Sequence, residues 1–275
     1  MALLALCGPV LALGLALAPP AAAADADAGA DPGTSHVAPA TSAAPSVAFP
    51  DSARRFSLMT PRHYALFAAA GVMIASITDR SAAREAPAAS GSITRTFARV
   101  GERLGNPIVL GPALAAGWLV GRVSGSSQIE GSAVRIGGAA LGAGTIGLGL
   151  KFATGRQRPR QSPDDADEFS PFRGGTSFPS GHTTLAFSVA AALDQETSSR
   201  WVPWIAYPAA ALTGWSRVHD RQHWVSDVVG GAALGLWAGR EIDIREREGR
   251  LPMLRAWPVY RRHAHGLRVG VTSGF

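Results

Sequence analysis

The sequence has a single cysteine, Cys7, inside an apolar N-terminal stretch, which leaves the rest of the chain without a thiol for a disulfide or a sulfur-bound metal. Lysine is equally scarce: Lys151 is the only one among 26 lysines and arginines. The arginines form no polybasic run, so the formal net charge of +6 suits an anionic substrate or a membrane surface and argues against nucleic acid. No β-rich region interrupts the chain, which excludes a sheet-based fold. Most uninterrupted apolar runs are roughly fourteen or fifteen residues, below the roughly 18 to 20 that a bilayer crossing takes.

What is present divides the chain into four parts. Residues 1–24 hold an apolar run from Ala2 to Ala18, then Pro19, Pro20 and small residues, the pattern of a signal peptide or N-terminal anchor. Residues 25–55 are rich in Ala, Pro, Ser and Asp without apolar period, a disordered linker. A helical domain follows over 56–245, and 246–275 form a charged tail.

Within the domain the apolar periods predict helices over Pro61–Thr78, Ser92–Leu104, Pro107–Arg122, Ser132–Ala153, Ser180–Leu193, Trp201–Trp215 and His223–Glu241. The expected fold is all-α, a bundle of about six core helices. Gly138, Gly142, Ala143 and Gly147 present small residues at near-helical spacing, where helices can approach closely.

Three segments carry polar residues that an apolar bundle does not need. In "KFATGRQRP" a point-charge ammonium, Lys151, and a forked guanidinium, Arg158, precede Pro159; together they suit a tetrahedral oxyanion. In "SFPSGHTTL" Pro179 and Ser180 open a helix whose free amides, with the positive end of the macrodipole, favour a phosphate near Ser180 and Gly181. His182 stands beside that position as a proton donor. In "SRVHDRQHWVSD" His223 and Asp227 are four apart and would share a helix face, the carboxylate holding one ring nitrogen while the other faces the site. Arg217, on the loop upstream, adds a second guanidinium.

Each segment alone has a plainer reading: an ordinary helix start, a surface His/Asp pair, a lysine snorkelling at a helix end. In order, K-x6-R-P, P-S-G-H and S-R-x5-H-x3-D, they resemble the signature of the type 2 phosphatidic acid phosphatase and vanadium haloperoxidase superfamily. Lys151, Arg158 and Pro159 match the first part, Pro179, Ser180, Gly181 and His182 the second, and Ser216, Arg217, His223 and Asp227 the third.

The resemblance implies metal-free hydrolysis of a phosphate monoester or diphosphate, of a lipid or small molecule, through a phosphohistidine. In it His223 attacks phosphorus, Asp227 orients it and His182 protonates the leaving oxygen. Lys151, Arg158, Arg217 and the backbone at Ser180 and Gly181 hold the phosphoryl oxygens. It implies no cofactor, with vanadate expected as a phosphate-mimicking inhibitor. The rival readings are a vanadate-dependent haloperoxidase, with vanadate as cofactor, and a non-enzymatic membrane helix bundle.

Several neighbours have two readings each. His219, His223 and Asp227 could imitate a metal-binding face. Arg156 and Arg160 greet either the substrate or solvent. Asp164, Asp165, Asp167 and Glu168 form either a solvated loop or a substrate lid. Trp201, Trp204 and Trp215 read as core or interface anchors.

The expected location is exported, periplasmic or membrane-associated with the site facing the periplasm. Three apolar helices precede Lys151, and three crossings after a cleaved signal would place the site in the cytoplasm. A cleaved signal and three true spans are therefore incompatible with an external site: either the domain is soluble or peripheral in the periplasm, the reading the short runs favour, or the first stretch stays as an anchor and the span count differs.

Overall fold

A computed structural model of the chain describes residues 61–86, 91–197 and 199–247. The N-terminal stretch 1–24, the linker 25–55 and all but the first two residues of the tail lie outside them. Among the described residues there are eight helices and no strand, only an isolated bridge between Arg156 and Phe169.

The helices are α1 (Pro61–Ser76), α2 (Asp79–Glu85), α3 (Ser92–Leu104), α4 (Pro107–Ser124), α5 (Ser127–Thr154), α6 (Gly181–Glu196), α7 (Val202–His219) and α8 (Val225–Arg247). Helix α8 is the axis of the bundle, packing on α1, α5, α6 and α7. The core around it is built of Phe187, Val228, Val229, Leu236 and many alanines. Small side chains of this kind bury little area each but let helices approach closely, so contact is gained through backbone proximity.

Local chemistry sets the helix ends. Asn106 caps α4, its side chain accepting from the Ile108 amide at 2.9 Å, with Pro107 at the first helical position. Gly125, at φ 73°, closes α4 in the left-handed conformation, and Ser126 caps α5. Helix α5 therefore starts five residues before the expected Ser132. Its polar first turns are accommodated because Glu130 pairs with Arg122 at 3.2 Å and Arg135 with Glu196 at 2.5 Å.

The expectation of short apolar segments is corrected here. Helices α4 and α5 are long and apolar enough to cross a membrane, and α1 with α2, bent by 51°, form a third such segment if taken as one broken span. Only 6% of the α4 window and 33% of the α5 window is buried in the protein. Ile108, Leu119, Val123, Leu141, Leu148 and Phe152 stand exposed on these two helices. An apolar surface this broad is matched by lipid hydrocarbon rather than water, and it makes the chain membrane-associated.

Candidate active site

The first motif lies where α5 ends. Gly155 terminates the helix at φ 59°, and a Cβ there would lie 1.9 Å from the Ser170 carbonyl oxygen, so both conformation and space require glycine. One turn earlier, Lys151 donates from Nζ to the carbonyls of Thr176 (2.7 Å), Ser177 (3.3 Å) and Pro179 (2.5 Å). An ammonium has three protons, and all three are engaged in fastening the end of α5 to the strap that leads into α6. Its stem passes beside Gly181, where a Cβ would sit 3.6 Å from Lys151 Cε. Arg158, on the loop after α5, donates from Nη1 to Gln222 Oε1 at 2.9 Å, which ties the first motif to the third.

The second motif opens α6. Ser180 is the residue before the helix, as expected, but its hydroxyl makes no capping bond; it accepts from Thr183 Oγ1 at 2.9 Å. The Ser180 amide donates to the Asp227 carbonyl at 2.9 Å, joining α6 to α8. His182 lies in the first turn of α6.

The third motif differs locally from expectation. Helix α7 runs on past Trp215 to His219, so Arg217 sits in its last turn rather than on a loop. Arg217 Nη2 reaches Asp220 Oδ2 at 3.0 Å, and Nη1 lies 3.5 Å from Glu102 of α3. His223 precedes α8 and shares no helix with Asp227; the turn does the work, its amide donating to the Arg217 carbonyl at 3.2 Å. His223 Nδ1 stands 3.5 Å from Asp227 Oδ2, too long for a good hydrogen bond, and has no hydrogen-bond partner. Contacts of this kind tighten when a substrate completes the site.

The PAP2 superfamily model matches residues 132–242, a span that includes all three motifs. Over that span the chain is similar to the PAP2 superfamily. The chain is 38% identical over 104 residues to a lipid A 1-phosphatase of Porphyromonas gingivalis, covering 37% of this chain and 21% of that protein. It is 33% identical over 88 residues to a lipid A 4'-phosphatase of the same organism, covering 30% and 37%. The chain thus spans about a fifth to somewhat over a third of the length of these relatives. Among solved structures, a transmembrane PAP2-type phosphatidylglycerolphosphate phosphatase from Bacillus subtilis aligns over 68% of this chain and 96% of its own, at 21% identity and a TM-score of 0.49.

Within residues 132–242, burial and neighbouring charges shift the ionisable groups of the three motifs. Burial, then the charges of Arg217, His223, Lys151 and Arg158, lower the His182 pKa to about 4. Burial also lowers that of His223; the Asp227 carboxylate opposes the shift, and Lys151 and Arg158 add to it. For Asp227 burial works upward, but His223, Arg156 and the Ser177 hydroxyl outweigh it and hold the carboxyl below its usual range. The three motifs thus bring Lys151, Arg158, Ser180, Gly181, His182, Arg217, His223 and Asp227 to one end of the bundle.

Of the residues with two readings, Arg156 faces neither substrate nor solvent: it is 3% exposed and bound to Asp227 and Asp79. Arg160 is exposed and donates to the Asp220 carbonyl at 2.9 Å. The acidic loop is joined to α2 through exposed pairs, Asp167 with Arg80 at 2.9 Å and Asp164 with Arg84 at 3.5 Å. His219 packs on Trp215, ring centroids 5.0 Å apart, and its Nδ1 lies 3.1 Å from Asp220 Oδ1. Among the described residues no group of three or more His, Cys, Asp or Glu side chains is arranged to hold a metal. Trp215 is buried, whereas Trp201 and Trp204 are exposed.

Proposed function

We propose that this chain hydrolyses a phosphate monoester or diphosphate of a lipid through a covalent histidine intermediate, without a metal. The observation that carries this reading is the convergence of two imidazoles and three cations, from three separate segments, at the N-terminus of α6. Phosphoryl transfer asks a protein mainly for positioning and charge neutralisation, and that cluster supplies both.

In this reading the His223 Nε2 lone pair attacks phosphorus while Nδ1–H faces Asp227. A P–N bond forms, the P–O bond to the lipid breaks, and the departing oxygen takes a proton from His182. Water then attacks the phosphohistidine, giving its proton back to His182, and inorganic phosphate leaves. Burial and the surrounding cations leave His182 neutral at pH 7; a bound phosphate supplies the negative charge that restores its proton. Arg158 and Arg217 hold phosphoryl oxygens, with the amides at Ser180 and Gly181. Lys151 contributes its charge from behind Gly181.

The apolar helices favour a lipid substrate presented at the bilayer surface, and the relatives named for lipid A point to phosphorylated glycolipids as the first class to test. The proposed site faces the periplasm. Purified protein in detergent should release phosphate from lipid A, phosphatidylglycerol phosphate or phosphatidic acid in preference to soluble monoesters. EDTA should leave the rate unchanged, vanadate should inhibit, and His223→Ala should lower kcat by about 10³-fold or more. Chelator-sensitive turnover, or halide oxidation without phosphate release, would overturn the proposal.

A further inference from the structure

Arg156 lies outside the three-part signature, yet it is fully bound beside the site. Its five N–H groups all have acceptors. Nε and Nη2 donate to the Ala166 carbonyl at 2.9 and 2.7 Å, and Nη2 also to Asp79 Oδ2 at 2.8 Å. Nη1 donates to Asp227 Oδ1 and Ser226 Oγ, both at 2.7 Å. The guanidinium also lies over aromatic rings, 5.2 Å from the centroid of Phe169 and 5.6 Å from that of Trp224. No donor is left for a phosphate.

Asp79 completes the arrangement from the other side. It begins α2, far from the catalytic motifs in sequence and outside residues 132–242. Its Oδ1 accepts from the Ser226 amide at 2.9 Å and its Oδ2 from the Ser226 hydroxyl at 2.5 Å, besides Arg156. Ser226 adjoins Asp227. Asp79, Arg156, Ser226 and Asp227 are all buried, so each charge depends on the others for compensation.

We infer that Arg156 and Asp79 are positioning residues for the histidine chemistry: Arg156 fixes the orientation and charge of Asp227, and Asp79 shares the same guanidinium and limits how much of its charge Asp227 receives. The inference rests on the phosphohistidine reading for its catalytic consequence, and on geometry alone for the charge balance. The groups facing His223 are Asp227 from α8, Lys151 from α5, Arg158 from the loop after it, His182 from α6, and Arg217 from α7 with its partners Asp220 and Glu102. Of these only Asp227 touches Arg156, so shifts in His223 after a change at 79 or 156 report the relay through that carboxylate.

Two opposite shifts are expected. Removing the Arg156 charge leaves Asp227 free to favour imidazolium at His223, raising its titration midpoint by about one unit or more. Removing the Asp79 charge gives Asp227 more of the guanidinium, lowering the midpoint. The nucleophile must be neutral, so the acid limb of kcat/KM moves the same way in each variant.

The experiment is a pH titration of ¹⁵N-histidine-labelled full-length protein in detergent, with His223 assigned by loss of its signal in His223→Gln. Wild type, Asp79→Asn, Arg156→Gln and Arg156→Lys are compared, alongside kcat and KM on a lipid phosphate. Arg156→Lys keeps the charge but not the planar five-donor fork, so it should lower kcat about tenfold or more while changing KM less than about threefold. If Arg156→Gln fails to fold, Asp79→Asn, nearly isosteric, decides the matter through the direction of its shift. Unchanged midpoints in a phosphatase that His223→Ala inactivates would overturn the relay and leave the proposed function standing. Midpoints that move as expected in a protein that hydrolyses no phosphate ester would overturn the function and leave the relay.

Discussion

Two basic residues five positions apart, Lys151 and Arg156, are each suited to their place by shape as well as by charge. Around Lys151 three carbonyls converge on one point, which a compact ammonium with three protons fits and a planar fork does not. Around Arg156 the five N–H groups of a fork all find acceptors, and two aromatic rings lie within 5.6 Å of its carbon. Lys151→Arg should therefore lower kcat at least about tenfold, the ~1.4 kcal/mol of a single misplaced hydrogen bond, as steady-state phosphate release would record. A fully active arginine variant would remove this account of the lone lysine. The signature residues were legible in the sequence because fixed spacings bring chemically apt types together. The role of Arg156 was not, since its partners lie 71 and 77 residues away and nothing local distinguishes it from a solvent-facing arginine.

Among the helices, the tightest contact that bears on the site is that of α8 on α6. Cβ atoms at Gly231, Gly235 and Gly239 would lie 2.6, 2.4 and 2.5 Å from the carbonyl oxygens of Ser180, Thr184 and Ser188. Four-residue spacing places all three on one stripe of α8, against the backbone of the helix that presents Ser180 and His182. Gly235→Ala should destabilise the protein by about 1–3 kcal/mol, the usual cost of overpacking, visible as a lower Tm in detergent. Gly231→Ala should in addition reduce kcat, because the backbone it displaces is that of Ser180. The sequence displayed a similar stripe on α5, but a Cβ at Gly147 would meet Leu234 Cδ2 at an ordinary 3.6 Å. Small-residue spacing is the same in both helices, and only the tertiary arrangement decides which stripe meets a backbone. The place of His223 was likewise beyond the pattern: four-residue spacing to Asp227 implied a shared helix, but the chain turns and starts α8 only at Val225.

For the molecule as a whole, the all-α architecture followed from the apolar periods, while its relation to the bilayer was obscured by Glu130 and Arg135. Those charges shorten the apolar run in sequence, yet each has an ionic partner and the 28-residue helix α5 passes through them. At about 1.5 Å per residue that helix is on the order of 40 Å long, enough to separate its ends by a bilayer. With Cys7 replaced by serine, single cysteines at Ser126 and Asp165 should differ in labelling by a membrane-impermeant thiol reagent applied to intact cells. Equal labelling of both sites would show that α5 does not cross.

Because the carboxylate that balances Arg156 comes from the elbow between α1 and α2, the part of this chain that carries the three motifs is not a transferable cassette. A hybrid that took residues 132–242 into a relative's scaffold would import a cation whose counter-charge stayed behind. The recipient would then have to offer a carboxylate at its own helical bend, and its presence there is a criterion for choosing which relatives can exchange halves.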